Sequence, residues 1–218
     1  MDPRYWHQRW SEGRTGWHQD APTPLMTRHW PALDLLPGSR VFVPLAGKSQ
    51  DMRWLASRGY RVRGVELSQM AIEQFFSESG LEPEVTSRQD GRHYQAAGIE
   101  IICGDAFALD DDALRDCDAV FDRAALIALP PPLRQRYADE LYARLPAGCR
   151  GLLVTIDYTQ HEKDGPPFSV PEDEVRALFS RDWSIDCLER RDILELERGG
   201  LGEGLTTLHT AAYRLVRR

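Results

Sequence analysis

The pattern of apolar and polar positions divides the chain into a short helical segment and a longer part where strand and helix patterns alternate. Residues 1–35 predict two helical pieces around a polar loop, and Trp6 and Trp10 are four residues apart, so they share one helix face. The alternation that follows is typical of a parallel sheet covered by helices on both faces. We therefore expect one domain over residues 1–218, with residues 36–218 as its α/β core.

The core begins with two strand–helix units that have clear helix boundaries. Ser49 and Ser68 are good N-caps after the first two strands, and Gly59 and Gly80 end the helices that follow. Three further apolar runs predict strands, and the last of these suits a central parallel strand. In chain order, the five predicted strands are "VFVPL", "RVRGVEL", "IEIICG", "DAVFDR" and "CRGLLVTIDY".

The remaining elements are predicted from local patterns. Apolar residues recur every fourth position after Pro132 and predict a helix, and a short helix is expected over residues 172–179. Two late strands, near Trp183–Leu188 and Leu205–Val216, suit an antiparallel hairpin, whereas "EPEVTSRQDGRHYQAAG" is interpreted as an irregular surface insertion. The sequence thus predicts a mostly parallel seven-stranded sheet with a C-terminal antiparallel hairpin, as is typical of methyltransferases that use S-adenosylmethionine.

The composition limits the kinds of partner that we expect the protein to bind and the cellular compartment in which we expect it. Lys and Arg total 27 against 34 Asp and Glu, a net charge of −7 without a basic run, so we expect no nucleic-acid partner. The N-terminus lacks an apolar signal core and no apolar run reaches about 18 residues, so we expect no membrane segment. The four cysteines form no C-x-x-C pair, which favours a reducing cytoplasm and no zinc site. An acidic single domain is compatible with a monomer, which we expect.

The turn "AGKS" after the first strand invites comparison with a phosphate-binding loop. That loop follows G-x-x-x-x-G-K-S/T, and five positions before Gly47 the chain has Phe42 in place of the first glycine. Pro44 also lacks the N–H donor that a phosphate cradle needs. The turn is therefore expected to bind another kind of ligand.

Acidic or small residues stand at four predicted strand ends, where ligands bind in open α/β sheets. After the first strand, Gly47 lets a ligand approach the backbone. Glu66 after the second can accept hydrogen bonds from both ribose hydroxyls, although an acid placed at an exposed strand end by chance is an equal alternative. After the third strand, Asp105 and nearby N–H groups can meet an adenine edge, although an exposed turn Asp is an equal alternative. The fourth strand ends in Asp122 and Arg123, which are either a structural ion pair or a site with a functional cation.

Three stretches of the sequence closely resemble the thiopurine S-methyltransferase family, especially its bacterial members. They are "FVPLAGKSQDMRWLASRGYRVRGVELS", "VFDRAALIALP" and the N-terminal "WHQRWSEGRTGWHQ". The resemblance implies a class I, Rossmann-like methyltransferase fold with S-adenosylmethionine as cofactor. It also implies S-methylation of aromatic or heterocyclic thiols, as in detoxification, and the family has members credited with handling tellurium and selenium compounds.

The resemblance also implies roles for individual residues. Leu45 is expected to meet the methionine portion of the cofactor, Glu66 its ribose, and the residues from Gly104 its adenine. Trp10 is expected to close over the cofactor, so that residues 1–35 act as a lid. The implied cofactor contacts are Trp10, Leu45, Gly47, Glu66, Gly104, Asp105, Ala106 and Arg123.

The acceptor side is less defined by the sequence. Arg123 is expected to reach the acceptor, whereas Trp17 and His18 either line the acceptor site or pack the N-terminal loop. The region "LELERGGLGEGLTTLHTAAY" departs from the family pattern because Arg198 is its only cation, which leaves the acceptor open. No residue is singled out as a catalytic base and no metal spacing is found. Two other functions stay open: methylation of halide, thiocyanate or inorganic tellurium and selenium ions, and cofactor binding without turnover.

Overall fold

The structure, a computed structural model, describes residues 3–218, which contain seven α-helices and nine β-strands. The helices are α1 (Pro3–Ser11), α2 (Pro24–His29), α3 (Gln50–Ser57), α4 (Gln69–Glu78), α5 (Asp112–Arg115), α6 (Pro131–Glu140) and α7 (Glu172–Phe179). The strands are β1 (Arg40–Val43), β2 (Arg61–Glu66), β3 (Glu84–Arg88), β4 (Gly91–Ala96), β5 (Ile99–Cys103), β6 (Ala119–Arg123), β7 (Arg150–Asp157), β8 (Trp183–Asp192) and β9 (His209–Arg217).

All nine strands form one mixed sheet in the order β3-β4-β5-β2-β1-β6-β7-β9-β8. The five strands from β5 to β7 in this order are parallel, and both outer pairs are antiparallel. From β1 the chain builds outward through β2 to β5, and then returns to the other side of β1 with β6. The carboxyl ends of β1 and β6 therefore lie at the point where strand order reverses, which is where such sheets bind ligands.

The two strands added to the predicted seven come from the stretch interpreted as an irregular insertion, and that interpretation was wrong. Residues 84–88 and 91–96 form the hairpin β3–β4, and β4 pairs antiparallel with β5. The sequence of this hairpin shows no alternation of apolar and polar residues, because every residue of β3 is exposed and only His93 and Tyr94 of β4 are buried. Backbone pairing with β5, which polar residues can also make, holds these strands.

The other predicted elements are present, with shifted ends. Ser49 and Ser68 cap α3 and α4 as predicted, because their hydroxyl oxygens accept the N–H groups of Asp51 and Ala71. The late hairpin is also present, but β8 extends to Asp192 through a β-bulge after Cys187, and β9 begins only at His209.

The core has a layer on each face of the sheet, because neighbouring strand residues point to opposite faces. Val41 belongs to the core cluster that contains side chains of α2, α3 and α4, whereas Phe42 belongs to the cluster that contains side chains of α5, α6 and α7. Within residues 3–218, no helix has the length and apolar character needed to cross a membrane. The two layers leave the carboxyl edge of the parallel strands for the loops that carry the candidate site.

Candidate cofactor and acceptor site

The turn after β1 has a left-handed backbone at two positions. Leu45 has φ +47° and Gly47 has φ +54°. The N–H of Ala46 donates to the carbonyl oxygen of Val65 at 2.9 Å, which holds the turn against β2. Left-handed backbone is unfavourable for a leucine, so the surroundings impose the shape of this turn, as is common at ligand-binding sites.

Glu66 ends β2 and joins the turns on either side of it. Its Oε2 accepts the N–H of Gly47 at 2.8 Å, and its Oε1 accepts the N–H of Ser68 at 2.7 Å. Burial raises the pKa of the Glu66 carboxyl, and the hydrogen bonds from Ser68 and Gly47 act in the opposite direction. The backbone N–H of Leu67 is a third donor, and since a carboxylate has about four acceptor directions, capacity stays available for a ligand hydroxyl.

The third predicted strand end lies directly beside Glu66. The N–H of Gly104 donates to the backbone carbonyl of Glu66 at 3.0 Å. Asp105 is exposed, and its Oδ1 accepts the N–H of Phe107 at 3.0 Å, while Ala106 is buried. The Asp105 carboxylate therefore shapes its own turn and still faces solvent with its second oxygen.

An open cleft of about 580 Å³ runs beside these strand ends. One wall is α1, and the other is formed by the residues after Glu66 together with Cys103 at the end of β5. The lining residues are His7, Gln8, Ser11, Leu67, Ser68, Gln69, Met70 and Cys103. This volume is within the range of about 300–1,000 Å³ that is usual for small-molecule and cofactor sites.

Trp10 lies against the glycine turn. A Cβ added to Gly47 would be 3.3 Å from the Trp10 ring, so a larger residue there would press on it. The ring of Trp17 packs edge-to-face on Trp10 and Trp6, with centroids 5.7 and 5.4 Å apart, and the Arg9 guanidinium lies 5.2 Å from its centroid. This aromatic cluster of Trp6, Trp10 and Trp17 seats the N-terminal segment on the strand ends.

Arg123 ends β6 and makes two contacts outside its own strand. Its Nη2 donates to the carbonyl oxygen of Trp17 at 3.1 Å, and its Nη1 lies 3.8 Å from Oδ2 of Asp51. Burial lowers the pKa of the Arg123 guanidinium, and the charge of Asp51 opposes this shift. Arg123 thus joins the N-terminal segment, β6 and the start of α3.

The side chain of Asp122, the neighbour of Arg123 in β6, lies on the opposite face of the sheet. Its Oδ2 accepts the hydroxyls of Tyr137 and Tyr142 at 2.8 and 2.9 Å, and its Oδ1 accepts the N–H of Leu126 at 3.2 Å. Asp122 and Arg123 are therefore not partners of each other. Asp122 belongs to the core, and Arg123 belongs to the candidate site.

His18 lies beside Arg123 in the N-terminal loop. Its Nε2 is 3.5 Å from Oδ1 of Asp20. Burial lowers the pKa of His18, and the positive charges of Lys48 and Arg123 lower it further. Lys48 itself pairs with Glu78 at 2.6 Å. Lys48 and Arg123 therefore bring positive charge to the side of the site between the aromatic cluster and β6, and each has an acid beside it, Glu78 and Asp51.

Sequence reasoning missed two residues of this region, Asp51 and Thr23. Asp51 is buried at the start of α3. In a sequence, an acid at this position is ordinarily attributed to its favourable interaction with the positive end of the helix dipole, so it does not indicate a site. It accepts both the N–H and the hydroxyl of Thr23, which lies 28 residues earlier. That pairing has no local signal in the sequence.

The predicted cofactor residues fit a nucleoside that carries an amino-acid tail. Gly47, Glu66 and Gly104 are joined by hydrogen bonds at the carboxyl ends of neighbouring strands, next to the cleft. The set offers a carboxylate for hydroxyls and a small-residue turn where a ligand can approach the backbone. Within residues 3–218, no group of three or more His, Cys, Asp or Glu side chains is arranged to hold a metal ion.

Comparison with known proteins identifies the family of this chain. The family model described as thiopurine S-methyltransferase (TPMT) matches residues 1–218. The chain belongs to the thiopurine S-methyltransferase family. A thiopurine S-methyltransferase of Xanthomonas campestris pv. campestris (strain 8004) is 56% identical over 217 residues, 100% of both chains. One of Nitrosomonas eutropha is also 56% identical, over 100% of this chain and 99% of its own.

Solved structures support the fold of this thiopurine S-methyltransferase family member. Burkholderia thailandensis 1,6-didemethyltoxoflavin-N1-methyltransferase, solved with S-adenosylhomocysteine, superposes with a TM-score of 0.66 at 15% identity, over 99% of this chain and 86% of its own. A structure described as "Conversion of a Disulfide Bond into a Thioacetal Group during Echinomycin Biosynthesis" has a TM-score of 0.68 at 18% identity, over 99% and 92%. The predicted family, the class I methyltransferase fold and S-adenosylmethionine as cofactor are confirmed.

Proposed function

We propose that this thiopurine S-methyltransferase family member transfers a methyl group from S-adenosylmethionine to small aromatic or heterocyclic thiols. The observation that carries the proposal is the family match over the whole chain. The Glu66 carboxylate, held between Gly47 and Ser68 beside the cleft, supports the cofactor part of it.

Seven of the eight predicted cofactor residues receive a cofactor role in this proposal, and the eighth, Arg123, is assigned to the acceptor side. The turn of Leu45 and Gly47 faces the methionine portion, Glu66 accepts hydrogen bonds from the ribose hydroxyls, and Gly104, Asp105 and Ala106 flank the adenine. Residues 1–35 act as a lid in which Trp10 covers the cofactor. The packing of Trp10 on Gly47 supports that role.

The acceptor is proposed to bind between Trp17, His18 and Arg123. Arg198, in the loop between β8 and β9, pairs with Glu195, and its side chain is 70% exposed. This supports an acceptor site to which the loop contributes no second cation beside Arg123. The same loop packs apolar residues against the end of β7, including Ile193, Leu205 and Leu208. An aromatic acceptor with one negative charge suits these surroundings.

The chemistry needs no protein base for such acceptors. When bound, S-adenosylmethionine supplies a methyl group on a sulfonium sulfur, which becomes a neutral thioether as the acceptor thiolate takes the methyl group. An ordinary thiol has a pKa of about 8.5, and aromatic and heterocyclic thiols are more acidic, so they arrive ionised after losing their proton to water. Arg123 attracts the anion, and the site contributes mainly by holding the reactants in line, an effect of about 7–11 kcal/mol.

Labelled S-adenosylmethionine, incubated with a panel of thiols, phenols and halides, tests this proposal. We expect transfer to thiols, with a pH dependence of kcat/KM that follows the pKa of each thiol. A single protein pKa common to all thiols, lost on mutation of His18 or Asp20, would instead establish a catalytic base. Transfer to halide, thiocyanate, tellurium or selenium ions alone, or tight cofactor binding without transfer, would favour the competing functions.

We also propose that the protein is a single domain that acts as a cytoplasmic monomer without nucleic-acid partners. The acidic composition supports the absence of nucleic-acid binding. The free state of all four cysteines supports a reducing compartment. Light scattering at several protein concentrations would test the monomer.

A further inference from the structure

Asp51 has more partners than its place in a helix requires. Its side chain is 2% exposed. Its Oδ1 accepts the N–H of Thr23 at 2.6 Å, and its Oδ2 accepts the hydroxyls of Thr23 and Ser49 at 3.0 and 2.9 Å. Arg123 lies 3.8 Å from the same Oδ2. An acid already complements the helix dipole at the surface, so the dipole alone does not account for these buried contacts.

These contacts hold the N-terminal segment at two points. Arg123 binds the carbonyl of Trp17, and Asp51 binds Thr23, so both ends of the loop over residues 17–23 are attached to the core. Arg123 and Asp51 are themselves an ion pair, which links the two attachment points. We name Asp51, Arg123, Trp17 and Thr23 the clamp.

The clamp is connected to one wall of the cleft. The loop over residues 17–23 continues from α1, which supplies His7, Gln8 and Ser11 to the cleft. Trp17 also packs on Trp10, which covers Gly47. A loose clamp would therefore release the aromatic cluster and α1 together.

A buried guanidinium also needs a neighbouring negative charge. Arg123 has a side chain that is 14% exposed, and Asp51 is the acid that lies within ion-pair distance of it. Without that charge, Arg123 would be left with one neutral acceptor, the Trp17 carbonyl, in a partly dehydrated setting. Its orientation toward the site would then be poorly defined.

We propose that Asp51 is a positioning residue that orients Arg123 and, through Arg123 and Thr23, seats the N-terminal segment over the cofactor cleft. Asp51 touches neither reactant, and its effect is transmitted by the clamp. The part that concerns acceptor binding rests on the proposed function, whereas the part that concerns the cleft does not.

A double-mutant cycle measured on S-adenosylhomocysteine binding tests the proposal. Asp51→Asn keeps an oxygen for the N–H of Thr23 but removes the charge near Arg123. We expect its Kd for S-adenosylhomocysteine to rise about threefold to thirtyfold, and this loss to shrink to less than half in an Arg123→Met background, where the positive charge is absent. Equal losses in both backgrounds, or an unchanged Kd, would overturn the inference.

The same variants give a kinetic readout that separates positioning from folding. We expect Asp51→Asn to raise the KM of an aromatic thiol more than it lowers kcat. Ser49→Ala is the matched control, because it removes another hydroxyl partner of Asp51 Oδ2 without touching the charge. It should lower the melting temperature and leave the KM within about twofold, since losing an N-cap weakens a helix and little else.

A second pair of variants covers the case in which Asp51→Asn does not fold. Thr23→Val removes the hydroxyl that Asp51 binds, and Thr23→Ser retains it. We expect weaker S-adenosylhomocysteine binding for Thr23→Val and near-normal binding for Thr23→Ser, and equal binding by both would contradict the proposal. If the wild type methylates no thiol but the binding cycle shows coupling, the proposed function fails and the role of Asp51 stands.

Discussion

Two buried acids, Glu66 and Asp122, lie near the carboxyl ends of two parallel strands of one sheet, yet their partners differ. Glu66 accepts backbone N–H groups from two turns beside an open cleft. Asp122 accepts two tyrosine hydroxyls and an N–H in the core, where it is 0% exposed. Burial raises the pKa of both carboxyls. Burial and a shifted pKa therefore do not separate an acid that faces a ligand from one that holds the fold.

What separates the two acids is the remaining capacity to accept hydrogen bonds and the space beside it. Among residues 3–218, Glu66 accepts only backbone N–H groups, those of Gly47, Leu67 and Ser68, and the residues after it line the cleft. Asp122 has two hydroxyl donors on a single oxygen, and both tyrosines are themselves buried. We therefore expect changes at Asp122 to affect stability first and changes at Glu66 to affect cofactor binding first.

The largest effect is expected for Asp122→Ala, which would leave the hydroxyls of Tyr137 and Tyr142 without their acceptor. Each unsatisfied buried polar group costs about 1–3 kcal/mol, so with two such hydroxyls the free energy of unfolding should fall by about 2–6 kcal/mol. Urea unfolding measures the change. Tyr142→Phe is the matched control and should cost about 1 kcal/mol, since it removes one hydrogen bond and leaves no hydroxyl unpaired. A loss below about 1 kcal/mol for Asp122→Ala would contradict the core role.

Glu66→Ala should weaken cofactor binding. It removes charged hydrogen bonds worth about 1.5–3 kcal/mol, so the Kd for S-adenosylmethionine should rise about tenfold to a hundredfold. The loops around Gly47 and Ser68 also lose their shared acceptor, which acts in the same direction. Calorimetry measures the affinity, and Asp122→Asn, tested where it is folded, is the control that should bind nearly as the wild type does. Unchanged affinity in Glu66→Ala would remove Glu66 from the site.

The pH dependence of stability sharpens the comparison further. Because the pKa of Asp122 is raised in the folded protein, its folded form binds the proton more tightly than the unfolded chain does. Wild-type stability relative to Asp122→Asn should then be greatest below the unfolded pKa of about 3.9. It should fall by about 1.4 kcal/mol for each pH unit between the unfolded and the folded pKa.

Glu100 provides a control of opposite sign for the pH experiment. Burial acts to raise the pKa of Glu100, but hydrogen bonds from His93 and Arg63 outweigh it, so the pKa is lowered. Wild-type stability relative to Glu100→Gln should therefore rise as pH increases through the acid range. Urea unfolding of the three proteins between about pH 3 and 7 measures both trends. The same sign for both acids would mean that one of the two environments is wrongly described.

The smallest effect is expected at Asp105, where an exposed carboxylate is used by its own turn. If Asp105 also meets the adenine, Asp105→Ala should raise the Kd for S-adenosylhomocysteine about twofold to tenfold, the value of one ordinary hydrogen bond. Asp105→Asn should retain most of the affinity, because an amide oxygen can still accept the N–H of Phe107. If the Kd is unchanged in both variants, the role of Asp105 is limited to stabilising its own turn.

The sequence by itself determined the elements whose signals are local. The caps Ser49 and Ser68, the apolar strands and the glycine turn identified the alternating core, and the motifs around Gly47 and Arg123 identified the family. The position of Glu66 at a strand end is also a local signal, because a hydrophobic run followed by an acid and a capped helix is visible in one dimension.

Tertiary structure decided whatever depends on partners far apart in the chain. The hairpin β3–β4 forms because the backbone of β4 pairs with β5. Its mostly polar side chains give no alternation of apolar and polar residues from which this pairing could be predicted. Asp122 binds core tyrosines and Arg123 binds the N-terminal segment because neighbouring residues of a strand point to opposite faces of the sheet. Asp51 meets Thr23 and Arg123 only after the N-terminal segment folds over the strand ends, since its partners are 28 and 72 residues away (51 − 23 and 123 − 51).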